Sequence, residues 1–108
     1  MHRNLVLAAV FGLAVSASAF AADAAEIFKS KCSSCHGEDG KADTKMGKKE
    51  KIPDFTTEKF QGGLTDDKIK DVITNGVPDT KMKAFSGKLT PDEIASLAKL
   101  VRGFKGSK

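Results

Sequence analysis

Apolar positions along the chain recur at helical spacing in three places and nowhere alternate as they would in a strand. The first place is "DAAEIFKSKC", where Asp23 serves as N-cap and Ile27, Phe28 and Cys32 fall on adjoining turns. The second, "LTDDKIKDVITNG", opens on Thr65 with Asp66 and Asp67 in its first turn, sets Ile69, Val72 and Ile73 on one face, and stops at Asn75-Gly76. The third has the strongest start: Thr90 as N-cap, Pro91 at the first helical position and Glu93 where a capping box requires it. Its apolar stripe is Ile94, Leu97, Leu100, Val101 and Phe104. The pattern predicts a small all-α fold of three to four short helices with long loops.

Between these helices the sequence changes character. From Cys35 to Pro53 it is glycine-rich and charged, with Gly37, Gly40 and Gly47 allowing reversals, and it reads as an irregular loop. "GVPDTKMKAFSGK" reads as an extended segment bracketed by Pro78 and Gly87 and carrying Met82 and Phe85. The closing "KGSK" reads as a frayed tail. At the other end, "MHRN" is basic, "LVLAAVFGLAV" is an apolar run too short for a mature membrane helix, and "SASAFA" places Ala19 and Ala21 at an A-x-A site. Residues 1–21 are therefore expected to be a signal peptide and 22–108 a single exported domain. An uncleaved membrane anchor is the alternative.

Charge narrows the choice of partner. Eighteen Lys and Arg against 14 Asp and Glu give the full chain a formal charge of +4, and loss of Arg3 with the leader would leave +3. Almost all of it is lysine, with no arginine-rich face and no aromatics interleaved with a basic cluster, so nucleic-acid binding is not indicated. A domain of this size buries too little surface to be comfortably stable on side chains alone. The two cysteines would not supply the missing staple as a disulfide, since a bridge across Cys-x-x-Cys closes a tiny loop and removes little chain entropy.

The cysteines have a better use. Cys32 and Cys35 are one helical turn apart, and His36 follows on an adjacent part of the same face. Cys-x-x-Cys-His is the signature of covalent c-type haem attachment: two thioethers to the vinyl groups and an imidazole to the iron. A zinc site would need further ligands, and with the leader removed the chain offers no other histidine or cysteine. A thiol–disulfide oxidoreductase would need a strand–helix–strand context that is absent from the pattern. For the second axial position the candidates are Met46, Met82 or a lysine. Met82 is favoured, because Met46 lies only ten residues past His36 in a glycine- and lysine-rich loop.

Taken in order, the helix "AAEIFKSKC", the motif "CSSCHG", the proline segment "IPDF", the middle helix, the methionine segment "TKMKAF" and the capped helix "SGKLTPDEIASLAKLVR" resemble class I monohaem cytochrome c, in particular its small bacterial periplasmic members. The resemblance runs from Asp23 to about Phe104. It implies one haem c bound through Cys32 and Cys35, His36 as proximal ligand, Met82 as distal ligand, and the Pro53 carbonyl as acceptor for the second nitrogen of His36. Two positions depart from the pattern. Ala24 stands where the family often has glycine and Leu100 where it often has an aromatic, so the first and last helices are expected to cross more loosely or with different packing, with Phe28 and Phe104 as the large contributors.

With both axial sites filled, the iron would have no open position for bond-making chemistry, and the expected function is one-electron transfer rather than catalysis. Lys29, Lys31, Lys81, Lys83 and Lys88 could border an exposed haem edge and steer a monomeric carrier to an acidic surface on a redox partner, meeting the membrane only through partner complexes. Haem propionates would lower the net charge to about +1 in the ferrous state. A haem-based sensor with a displaceable or absent distal ligand is the main competing reading, and a thiol–disulfide oxidoreductase the weaker one.

Overall fold

Helix-forming residues occupy every stretch in which the pattern predicted a helix, and two in which it did not. The computed structural model describes residues 16–107. Most of the expected leader, residues 1–15, lies outside the described residues. Six helical segments follow in order: α1 (Ser16–Lys31), α2 (Ser33–His36), α3 (Lys45–Lys49), α4 (Glu58–Gly63), α5 (Asp66–Asn75) and α6 (Pro91–Gly103). Among the described residues there is no strand beyond an isolated bridge between Ser86 and Leu89, and the all-α class holds.

α6 begins as its sequence dictates. The Glu93 backbone N–H donates to Thr90 Oγ1 at 3.1 Å, and the Thr90 N–H donates to Glu93 Oε1 at 2.8 Å. This satisfies two of the donors that a helix start leaves open. α5 starts on Thr65, whose hydroxyl accepts from the Lys68 N–H at 3.1 Å, and ends at Gly76 with φ of 72°.

With the expected leader still attached, α1 already runs from Ser16, ahead of the start at Asp23 expected for the chain without it. "SASAFAADAAE" contains no glycine or proline and is rich in alanine, so Asp23 has no local reason to begin a helix when residues precede it. α3 corrects the irregular-loop reading of Cys35 to Pro53, and α4 forms in a stretch to which the pattern assigned no element. Thr44 and Thr57 cap them, accepting from the Gly47 and Phe60 N–H groups at 2.8 and 3.1 Å. The tail is not frayed at Gly106, whose N–H donates to the Thr56 carbonyl at 3.0 Å.

α6 is the hub, with α1 on one side and α5 on the other. The core takes Ala24 and Phe28 from α1, Ile69 and Ile73 from α5, Ile94, Leu97, Ala98 and Val101 from α6, and Phe55 and Leu89 from the loops. The crossing of α1 and α6 is closed rather than loose. Ala24 and Leu97 are each 2% exposed, and the Phe28 and Phe104 rings lie 5.4 Å apart as the expected large contributors.

A polar cluster absent from the sequence reading fastens α4 to α6. Gln61 is buried, its amide donating to the carbonyls of Phe55 (2.7 Å) and Val101 (3.0 Å). The Arg102 guanidinium donates to the Gln61 carbonyl (2.7 Å), Gln61 Oε1 (2.9 Å), Asp66 Oδ1 (2.6 Å) and the Leu64 carbonyl. Asp66 is 73% exposed, so the ion pair itself contributes little. The fork satisfying two backbone carbonyls matters more. Arg102→Lys, which keeps the charge but not the fork, is expected to cost about 1–2 kcal/mol in denaturant unfolding. A loss below about 0.3 kcal/mol would show that the geometry is dispensable.

Candidate functional site

The cysteine–histidine motif is built by the end of α1 turning directly into α2. The Cys32 N–H closes on the Phe28 carbonyl at 2.9 Å, and the Cys32 carbonyl then accepts from the Cys35 and His36 N–H groups at 3.3 and 3.0 Å. The motif is thus a continuation of helical backbone, which keeps both thiols within one turn of each other. Gly37, at φ of 80°, ends it, and the His36 carbonyl is fixed by the Ala42 N–H at 2.8 Å. α3 braces the other side. The Thr44 hydroxyl donates to the Cys35 carbonyl at 2.7 Å, and Gly47 lies close enough to that carbonyl that a Cβ would come within 2.9 Å of its oxygen.

Both cysteines are free and half-buried. Burial is the main influence on Cys32, pushing its thiol up to about 11, with the nearby Lys31 charge pulling it partly back. Thiol–disulfide exchange calls for the opposite, a thiolate stabilised near neutral pH. His36 is held below the ordinary imidazole range by burial, so at neutral pH its ring is uncharged and keeps a lone pair for a metal. The ring stacks on Phe55 with centroids 4.7 Å apart and planes at 24°, and lies 6.4 Å from the Phe28 ring. His36 Nδ1 is buried without a hydrogen-bond partner. The bond expected from it to the Pro53 carbonyl is therefore not made; the imidazole plane follows the Phe55 ring instead.

Met82 sits in the segment joining α5 to α6, half-buried against the core, in the same apolar shell as Cys32, Ile27, Leu64, Phe85 and Leu100. The segment is tied back to α5 by the N–H groups of Phe85 and Ser86, which donate to the carbonyls of Ile73 and Thr74, each at 3.0 Å. Met46 is half-buried in α3 and is not among the residues packed against that core. Lys29, Lys31, Lys81, Lys83 and Lys88 are exposed. The ion pairs among the described residues engage Lys48, Lys68, Lys70, Arg102 and Lys105 instead.

Two free thiols one turn apart and a neutral imidazole with an orphaned buried nitrogen, with Cys32 and Met82 both packed against one core, make a donor set that fits a flat apolar macrocycle carrying iron. Sequence reasoning singled out those four residues as candidates. It missed Phe55, which orients the imidazole, and Thr44, which braces Cys35. The only signal for Thr44 was a capping residue in an otherwise charged loop.

Comparison with known proteins gives concordant results. Residues 19–101 match the family model described as cytochrome c oxidase, cbb3-type, subunit III. The cbb3-type cytochrome c oxidase subunit FixP of Bradyrhizobium sp. (strain ORS 278) is 32% identical over 88 residues, which are 82% of this chain and 29% of that protein. The chain therefore spans less than a third of the length of this curated relative. Among solved structures, the KustC0563 c-type cytochrome superposes with a TM-score of 0.70 at 34% identity, covering 76% of this chain and 96% of that one. A point mutant of the same cytochrome gives 0.69 at 36% identity, covering 77% and 99%.

Proposed function

The chain belongs to the cytochrome c family, through its cbb3-type oxidase subunit III branch, and so carries covalently bound haem c for electron transfer; on that premise we propose that it is a soluble, exported one-electron carrier with histidine–methionine ligation. Cys32 and Cys35 hold the group by thioethers, His36 is the proximal ligand and Met82 the distal one. Residues 1–21 are removed on export, leaving 22–108 as a monomeric periplasmic domain.

The observation that carries this reading is the donor set itself. A Cys-x-x-Cys-His turn with free thiols and a neutral imidazole packs its Cys32 against the same core as Met82, 46 residues beyond His36. The haem, when bound, supplies reversible one-electron chemistry. The protein's part is to hold it at both faces, so that little rearranges between oxidation states, and to bury it in apolar surroundings that favour the reduced form. With imidazole and thioether in place, small molecules find no vacant coordination position. This separates a carrier from a sensor.

Partners follow from charge. The five exposed lysines flanking the motif and the methionine segment suit an acidic docking face on a membrane-bound redox complex, as would befit a relative of an oxidase subunit. No described helix is long and apolar enough to cross a membrane.

Expression in a host that matures c-type cytochromes, followed by optical spectra of wild type, Met82→Ala and Met46→Ala, tests the assignment. Only Met82→Ala is expected to lose the thioether-to-ferric-iron charge-transfer band and to gain carbon monoxide binding in the ferrous state. Loss of the band in Met46→Ala alone would reassign the distal ligand.

A further inference from the structure

Gly76 ends α5 in a left-handed conformation, φ 72°, and its α-carbon is pressed against the backbone of the methionine segment. A Cβ there would lie 2.7 Å from the Met82 carbonyl oxygen, 2.8 Å from the Ala84 nitrogen and 2.9 Å from the Lys83 carbonyl carbon. All three are main-chain atoms, so no side-chain rotation could make room. The next residue completes the junction: the Val77 N–H donates to the Met82 carbonyl at 3.1 Å. The Thr80 hydroxyl both donates to the Val77 carbonyl at 2.8 Å and accepts from the Met82 N–H at 3.1 Å. Met82 is thus held at its own carbonyl and its own amide by residues 76–80. The bonds from Phe85 and Ser86 to α5 hold the far side of the segment.

We infer that Gly76 is a positioning residue for the distal ligand: by letting the end of α5 touch the main chain at Met82, it sets where the thioether is presented and how firmly it competes with outside ligands. This rests on the assignment of Met82 proposed above. The segment is then held by α5 rather than by the bond to iron. A ligand that displaces the sulfur has to work against a sulfur already in place, and its apparent affinity is lowered accordingly.

Gly87 provides the matched control. It lies in the same segment with φ of 83°, but nothing is within 4 Å of its Cβ position. Alanine at either site meets a positive-φ backbone, and only at Gly76 does it also push on the main chain at Met82. In the holoprotein, Gly76→Ala is expected to weaken the charge-transfer band, shift the reduction potential and raise the affinity of the ferric protein for imidazole by about tenfold. Gly87→Ala should lose stability through its own positive φ while keeping the wild-type band, potential and imidazole affinity within about twofold.

Two outcomes overturn the proposal: Gly76→Ala behaving like Gly87→Ala, or both glycine variants losing the band alike. If Gly76→Ala does not accumulate as folded holoprotein, the wild type decides. With imidazole saturating the ferric iron, the Val77, Phe85 and Ser86 amides should stay protected from hydrogen exchange, and their rapid exchange would show that the iron bond, not α5, holds the segment. Failure of the Met82 assignment is read separately, as a band that survives Met82→Ala.

Discussion

Gly47→Ala is expected to lower stability by about 2–3 kcal/mol, although it replaces glycine with the best helix former inside a helix. In α3 a methyl at this position would overlap the Ala42 carbonyl oxygen and sit 2.9 Å from both the Ala42 carbonyl carbon and the Cys35 carbonyl oxygen. Relief requires α3 to back away from α2. That movement strains the Thr44 hydroxyl bond to the Cys35 carbonyl, now 2.7 Å. The helix-propensity gain of about 1 kcal/mol is outweighed. For a domain of this size the loss corresponds to a fall in Tm of about 10–20 °C, measured by thermal unfolding of the haem-loaded protein. Gly103→Ala is the control, since Gly103 lies in α6 with nothing within 4 Å of its Cβ position and is expected to be neutral or slightly stabilised. Equal Tm values for the two variants would show that α3 does not brace the motif.

Leu97→Ala should be at least as costly, by a different route. Leu97 is 2% exposed, at the point where α6 meets the other core elements. Truncation removes the transfer free energy of the lost methyl groups and leaves a void that close-packed neighbours fill only in part, together about 3–4 kcal/mol. Domains of this kind have only about 5–15 kcal/mol to lose. Val77→Ala, at a side chain 38% exposed, is expected to stay within about 0.5 kcal/mol of wild type. A Leu97→Ala loss below about 1 kcal/mol would mean that the helix crossing can collapse around the deletion.

The parts of the fold that could be read from the sequence are those with local causes. Thr90 with Glu93, and Thr65 with Asn75-Gly76, are signals within a few residues, and the helices they bound appear where expected. α3 and α4 have equally good caps in Thr44 and Thr57, but at five and six residues they are too short to show a helical period. The Gln61–Arg102 cluster was illegible for another reason. Its partners are 41 positions apart, and polar residues carry no periodic sign of which will be buried. The same holds at the site: Cys32, Cys35 and His36 are contiguous and announce themselves, whereas Phe55 reaches the imidazole only through the tertiary fold.

The half-buried thiol of Cys32 also bears on how the molecule is put together. Burial raises this thiol to about 11, so at neutrality it is held almost wholly in the protonated, unreactive form. Once α1 has docked on α6, carbon–sulfur bond formation at this position would be starved of nucleophile. On the proposed attachment, burial of this thiol favours linkage while the chain is still open over linkage after the helices have collapsed.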